Sequence, residues 1–366
     1  MSAVPGLAPR AARALASRPA DAVPRLALLG TGNVGSAFVA RCERLRARGV
    51  AVPVIGWLCN SRAAAAGGAR PLQVLEAVRG AASAGDVGVA WNGDRLRPGD
   101  MVVDATASDA VAARHPEWLA RGIHVATANK LGPGAGSARA RAIIEAQREG
   151  GAHYGDAATV GAGLPLLRSI RGLVAGGDRI RAVEGVLSGS LAWLFDRYDG
   201  SRPFSALVRE ARAGGYTEPD PRVDLSGEDV RRKLLILARA AGLEPGVGQV
   251  RVEPLLPAAL AAAAPGDVDA LLPMLDAPMR AHLDAARSAG LRLRFVARFA
   301  GGVAEVGLRG LPPDHPLCTG AGTDNVVAIT SCRYLDQPLL VRGPGAGAEV
   351  TAAALLDDVL RILRSP

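Results

Sequence analysis

At 366 residues and 49% apolar composition the chain can bury a large core, and domains usually run to about 100 to 200 residues, so two are expected. No apolar run reaches the roughly 20 residues that a membrane-spanning helix needs, so a soluble, cytoplasmic chain with no membrane partner is expected. The net charge of +8 is spread along the chain, with no basic run interleaved with aromatics, which argues against a nucleic-acid partner.

Cys42, Cys59, Cys318 and Cys332 lie far apart, with neither a CxxC pair nor a zinc-ligand spacing, and read as free thiols in a reducing compartment. Residues 1–24 are rich in Ala, Arg and Pro with one acid, Asp21. That composition raises a transit peptide, but there is no apolar core or cleavage signal, and a disordered tail is expected.

Arg25 to Leu29 reads as a short apolar strand that runs into Gly30-Thr31-Gly32-Asn33-Val34-Gly35 and then a helix from Ser36 to about Arg48. Further strands are expected over Val50 to Leu58, Met101 to Ala105, ending in Thr106, and Ile123 to Thr127, ending in Asn129 and Lys130. Strands alternating with helices imply a parallel sheet whose ligands sit beyond the carboxyl ends of the strands, so Thr106 and Lys130 should face one crevice. Past residue 150 the pattern becomes mixed. A strand is expected over Ile180 to Leu187, helices over Leu191 to Tyr198, Ser205 to Ala213 and Ser226 to Ala241, and a hairpin of Leu291 to Phe299 with Val303 to Leu308. Strands Val326 to Ser331 and Leu339 to Arg342 and a last helix, Thr351 to Leu363, follow, with no regulatory domain expected after it.

A GxGxxG run that follows a strand and opens a helix is the context dinucleotide binding requires, because the glycines let a pyrophosphate approach the backbone and the helix N-terminus stabilises its charge. Gly30, Gly32, Asn33, Val34 and Gly35 are therefore candidate cofactor contacts. An Asp or Glu at the end of the second strand would select NAD. Here Cys59-Asn60-Ser61-Arg62 stands instead, and Ser61 with Arg62 suits a 2'-phosphate, so NADP(H) is preferred with NAD(H) as the alternative. The plainer reading is that Arg62 caps a loop.

Of 43 basic residues only Lys130 and Lys233 are lysine. Lysine can change its protonation state where arginine effectively cannot, so both are candidates for chemistry. Asp229 and Lys233 stand i, i+4 on one predicted helix, beside the apolar stripe of Val230, Leu234, Leu237 and Ala241, after a loop dense in carboxylates, Gly215-Tyr216-Thr217-Glu218-Pro219-Asp220-Pro221. Such a cluster could bind an ammonium group while the lysine handles a proton. The five histidines show no metal spacing and pair with no obvious acid, and are read as structural; Ser188-Gly189-Ser190 begins a helix or touches a phosphate.

Together the segments LALLGTGNVG, VATANK, TVGAGLP, EGVLSGSLAWLF, GYTEPDPRVDLSGEDVRRKLLILAR and VRGPGAGAEVTAAALLDDVLRIL closely resemble homoserine dehydrogenase, most of all the dehydrogenase portion of aspartokinase-homoserine dehydrogenases. The resemblance implies reversible hydride transfer between NAD(P)(H) and L-homoserine or L-aspartate 4-semialdehyde, on the way to threonine and methionine. It implies Lys233 as proton donor, Glu218 and Asp229 as ligands of the amino acid, Lys130 between substrate and cofactor, and Asp224 and Tyr216 completing the pocket. Thr106, Gly215 and Gly345, with Gly30, Asn33 and Val34, fall where the family contacts cofactor. The resemblance further implies a homodimer and a sodium ion on the backbone carbonyls of Val160, Ala162 and Leu164. The chain departs there, since the acid expected three residues before Val160 is Ala157, with Asp156 one place earlier. Val223 stands where many relatives carry an acid.

The expected fold class is α/β: an N-terminal Rossmann dinucleotide-binding domain over residues 25–152 and a mixed-sheet α+β catalytic and dimerisation domain over 153–342. Residues 343–366 are expected to return to the first domain. Two rivals stand beside this reading. One is another dehydrogenase, although no cysteine sits in the catalytic motifs to act as a nucleophile. The other is a dinucleotide-sensing regulator, which would not need the lysines.

Overall fold

The computed structural model of the chain describes residues 24–82, 95–243 and 249–364, so the tail expected over residues 1–24 lies outside the described residues apart from Pro24. The first sheet grows from β1 (Arg25–Leu29), in which Leu26 and Leu28 pack into one apolar cluster and Ala27 and Leu29 into another. Both faces are covered, the condition in which a parallel strand is apolar throughout. β2 (Val54–Cys59), β3 (Ala64–Ala66), β4 (Met101–Asp104), β5 (His124–Thr127) and β6 (Tyr154–Gly155) complete the order β3-β2-β1-β4-β5-β6. Every pair is parallel except β2 with β3.

Two expected boundaries shift. β2 starts at Val54 rather than Val50, because Val50 still closes the preceding helix by donating to Leu45, and Pro53 has no N–H to offer a neighbouring strand. β6 pairs with β5, so the first sheet runs on to Gly155, past the boundary expected at residue 152. The helix that follows the glycine turn spans Asn33–Ala47, beginning inside the motif rather than at Ser36.

The second sheet comprises β7 (Ile180–Val186), β8 (Val250–Val252), β9 (Arg292–Ala300), β10 (Val303–Leu311), β11 (Asp324–Ser331) and β12 (Leu339–Pro344), in the order β12-β11-β7-β9-β10-β8. It is mixed: β8 lies parallel to β10 and the other pairs are antiparallel. The β9–β10 hairpin turns on Gly301 and Gly302, with φ of +58° and +83°, and Ala300 pairs with Val303. Two consecutive left-handed residues are what a tight type I′ turn demands, and glycine adopts them without steric cost. Helices Leu166–Ala175, Gly189–Arg197, Glu228–Ala240 and Asp276–Ser288 contribute to one large cluster with the inner face of this sheet. The Glu228–Ala240 helix is apolar over more than the expected stripe, since Leu235, Ile236 and Ala238 are buried as well as Val230, Leu234 and Leu237. It lies between the second sheet and the first domain, where a Cβ on Gly134 would come within 3.2 Å of Ile236.

The last helix, Ala348–Arg364, packs Leu355, Leu356, Val359 and Ile362 among Leu28, Phe38 and Val103 of the first domain. At roughly 1.5–3 kcal/mol for each large apolar side chain fully buried, this seam is a principal stabilising contact of that domain.

Candidate functional site

The fold makes different demands at the three motif glycines. Gly30 has φ +96°, and a Cβ there would come within 2.7 Å of the Ala105 carbonyl oxygen. A Cβ on Gly35 would collide with the carbonyl of Gly30, so the helix could not sit this close to the strand. Gly32 has ordinary φ, and a Cβ there would meet nothing within 4 Å. No contact among the described residues calls for glycine at that position; the close approach of a ligand would. Asn33 and Val34 are the first residues of the helix, whose first turn offers its N–H groups at this point.

A cavity of about 1090 Å³ opens beside this turn, lined among others by Gly30, Gly32, Ser61, Arg62, Arg79, Thr106, Arg114 and Trp118. Three arginines and one acid, Glu76, stand on its walls. Asn60 is consumed by the fold: its amide nitrogen donates to Thr31 Oγ1 and the Val78 carbonyl, both at 2.9 Å, and its oxygen accepts from the N–H groups of Arg62 and Ala63. Ser61, Arg62 and Arg79 are left at the cavity's edge, with Arg62 donating to the Arg79 carbonyl at 2.7 Å. Arg62 thus makes the loop contact of the plainer reading while still lining the cavity. Sequence reasoning missed Arg79; its signal was a basic residue in the last turn of the Pro71–Gly80 helix.

The turn after β5 carries Lys130 to the second domain. Its Nζ lies 3.4 Å from Oδ1 of Asp229, while Nζ of Lys233 lies 2.8 Å from Oδ2 of the same carboxylate and donates to the Leu187 carbonyl at 2.8 Å. Burial alone would raise the Asp229 carboxyl, but Lys233 and then Lys130 outweigh it and hold it well below the ordinary carboxylate range. Asp229 is an anion shared between the domains. Of the three protons on the Lys233 ammonium, these contacts engage two.

The carboxylate loop is ordered from within. Asp224 accepts from Ser190 Oγ at 2.6 Å and from the Glu218 N–H at 2.9 Å, so it acts as a brace for the Glu218 segment. Ser190 in turn meets Ser188 Oγ at 2.8 Å, and Ser188 caps the helix by accepting from Leu191 N–H. Of the two readings of Ser188-Gly189-Ser190, the helix start is the one observed. Asp220 is taken up by Arg222, whereas Glu218 remains exposed. Tyr216, 45% exposed, stacks on Trp193 at 4.9 Å. Gly215 has φ +69° and open space at its Cβ position. Gly345 is fixed by packing, since a Cβ there would collide with the Asn325 carboxamide.

The family resemblance implied a sodium ion on the backbone carbonyls of Val160, Ala162 and Leu164, at a loop where this chain already departs from the family at Ala157. Gly161 and Ala162 do take left-handed conformations, with φ of +72° and +51°. The nearby acid, Asp156, is however buried in a two-pronged pair with Arg171 at 2.5 and 2.8 Å, and the Leu164 carbonyl accepts from Leu166 N–H. Asp358 stands at the loop as well, accepting from the Ala157 N–H at 2.8 Å, and both carboxylates are shared with arginines, Asp156 with Arg171 and Asp358 with Arg168 and Arg361, so neither presents an unpaired charge to a cation. Two histidine and cysteine readings also resolve. His115 does pair with an acid, its Nε2 lying 3.0 Å from Asp104 Oδ2, which the sequence reading did not foresee. Cys59 lines the cavity, but burial pushes its thiol up to about 11, so it is no nucleophile at neutral pH. No helix among the described residues is long and apolar enough to cross a membrane.

Residues 165–360 match the family model of homoserine dehydrogenase, and residues 30–155 that of the homoserine dehydrogenase NAD binding domain. The chain is 42% identical over 353 residues to bifunctional aspartokinase/homoserine dehydrogenase 2 of Escherichia coli, covering 92% of this chain and 43% of that one. It is 38% identical over 272 residues to homoserine dehydrogenase of Schizosaccharomyces pombe, 72% of each chain. A putative homoserine dehydrogenase from Archaeoglobus fulgidus superposes with a TM-score of 0.75 at 25% identity, over 93% of this chain and 99% of that one. A hyperthermophilic archaeal homoserine dehydrogenase in complex with NADPH shares the fold, with a TM-score of 0.71 at 20% identity over 94% and 98%. The chain spans less than half the length of the bifunctional relatives it matches. With both family models matched in order and the two lysines meeting where the two matched regions face each other, the chain belongs to the homoserine dehydrogenase family.

Proposed function

We propose that the protein is an NADP(H)-preferring homoserine dehydrogenase, interconverting L-homoserine and L-aspartate 4-semialdehyde in threonine and methionine biosynthesis. The observation that carries the reading is the Lys130–Asp229–Lys233 cluster at the junction of the domains. When bound, the nicotinamide supplies the hydride. Gly30, Gly32, Asn33, Val34, Thr106, Gly215 and Gly345 contact the cofactor, and Ser61 and Arg62 meet its 2'-phosphate. Glu218 and Asp229 hold the substrate's ammonium group, and Tyr216 closes the pocket. Asp224 keeps Glu218 in place. Hydride addition to the aldehyde carbon leaves an alkoxide, and Lys233 donates its remaining ammonium proton to that oxygen. Asp229 and the Leu187 carbonyl fix the direction of the donor. Lys130 supplies positive charge between substrate and cofactor. In the reverse direction Lys233 accepts the hydroxyl proton as the hydride leaves.

The test is the fall of NADPH absorbance with aspartate 4-semialdehyde as substrate. No turnover, with NADPH still bound, would favour the dinucleotide-sensing regulator instead. The protein is further proposed to be a homodimer, joined through the face of the second sheet opposite its helices, where Val303 and Leu340 are exposed and Glu184 pairs with Arg298. A monomer mass by light scattering at micromolar concentration would contradict this.

A further inference from the structure

Asp104, at the carboxyl end of β4, is fully buried. Its Oδ1 accepts from the Thr106 N–H at 2.9 Å and from Thr106 Oγ1 at 2.7 Å. Its Oδ2 accepts from the Asn129 amide at 3.0 Å and faces His115 Nε2 at 3.0 Å. Three separate segments thereby converge on one carboxylate. Thr106 lines the cavity, Asn129 precedes Lys130, and His115 opens the short helix that brings Trp118 to the cavity. The Asn129 side chain binds this framework three times more, donating to the Ser108 carbonyl at 2.9 Å and to Thr106 Oγ1 at 3.4 Å and accepting from Leu131 N–H at 3.0 Å. The far nitrogen of His115 meets the Tyr154 hydroxyl at 3.0 Å, and burial holds that phenol well above its ordinary range, so it stays protonated. The Lys130 turn packs down onto this pair: a Cβ on Gly132 would come within 2.5 Å of the Tyr154 oxygen and 2.9 Å of His115 Nδ1.

A carboxylate that takes hydrogen bonds on both oxygens suits this place because no neutral isostere can. An asparagine would turn an NH₂ group either toward the two Thr106 donors or toward the Asn129 amide, and one arm would be lost. We infer that Asp104 is a positioning residue of the reaction, setting Thr106 for the cofactor through one oxygen and the Lys130 turn for the substrate through the other. The inference rests on the proposed cofactor reading of Thr106 and the proposed role of Lys130.

The test sets Asp104→Asn against Asp100→Asn at the other end of the same strand segment. Asp100 is also buried, 6% exposed, and holds Arg25 and the Arg97 N–H, but it touches neither the cavity walls nor the lysine turn. Urea stability, the Kd of NADPH by fluorescence, and kcat at saturating NADPH are measured for each. Asp104→Asn should weaken NADPH and lower kcat by about ten- to a hundredfold each, the scale of a lost charge-assisted hydrogen bond. Asp100→Asn should lose stability and leave both within about twofold. Thr106→Val should mainly raise the Kd, and Asn129→Ala should mainly lower kcat; both keep the buried carboxylate and carry the test if Asp104→Asn does not fold. A folded Asp104→Asn no worse than Asp100→Asn in Kd and kcat overturns the inference, as does a Thr106→Val and Asn129→Ala pair that shows no such division. A wild-type protein that does not bind NADPH would instead remove the cofactor reading, and this inference with it.

Discussion

Lys130 and Lys233, the two lysines of the chain, approach opposite oxygens of a single carboxylate, that of Asp229, from different domains. The division of labour between them is testable. Lys233→Arg keeps the charge next to Asp229 but cannot release a proton at neutral pH, because guanidinium holds it too tightly. Turnover should fall about 10²- to 10⁴-fold, the usual contribution of general acid catalysis, with the Kd of NADPH nearly unchanged. Lys130→Arg should be milder, since charge is what that residue supplies. Near wild-type kcat in Lys233→Arg would reduce the lysine to an electrostatic fixture.

Asp229 makes a prediction in pH. Its carboxyl is held below the ordinary range by the two lysines, against its burial, so the folded state favours the charged form. The stability this contributes is complete above the unfolded aspartate value of about 3.9 and is lost as pH falls through the lower folded value. The stability gap between wild type and Asp229→Asn, from urea midpoints, should stay flat from about pH 8 to about pH 5 and narrow only below about pH 4. A gap already closing between neutrality and about pH 5 would contradict the pairing.

The glycine turn separates stability from binding. Gly35→Ala must push apart the helix and the strand turn, and should cost about 1–3 kcal/mol in stability. Gly32→Ala meets nothing within 4 Å, and should leave stability within about 0.5 kcal/mol while weakening NADPH about tenfold or more. Thermal melts and fluorescence titration of both variants check this, and a Gly32→Ala protein that binds NADPH normally would mean no ligand comes close to that residue.

Arg62 is tested through cofactor choice. Arg62→Asp reverses the charge at the cavity edge, and should shift the ratio of kcat/KM for NADPH over NADH toward NADH by about tenfold or more, the scale of one charged hydrogen bond. An unchanged ratio would leave Arg62 as a loop contact to Arg79 and pass the phosphate to another residue.

Much of this was legible in the sequence because it is local. A strand, a glycine turn and a helix follow one another within residues 25–47, and the alternation of strands and helices gave the fold class. The lysines stood out by rarity alone, before any geometry. What stayed hidden depends on contacts between distant turns. Asp104 and His115 are separated by a helical turn whose direction the intervening residues do not dictate, so their pairing shows only once β4 and the His115–Ala120 helix are packed. Ser190 and Asp224 likewise meet across 34 positions of chain. At the loop of Val160, Ala162 and Leu164 the departure at Ala157 was legible in the sequence, whereas the turning of Asp156 toward Arg171 was not, since the two lie on different elements.

The helix Ala348–Arg364 has a consequence for how the chain comes to be folded. It fills a groove of the N-terminal domain, and one of its contacts, Arg44 with Glu349, closes a loop of 305 positions. Residues 25–155 are synthesised before this helix, so Leu28, Phe38 and Val103 lack part of their cover until residues 348–364 follow. The second domain can complete its own core first. The first domain is then finished by residues 348–364, so a chain cut before Ala348 should bind NADPH poorly, and the slow, long-range closure should limit the rate of refolding.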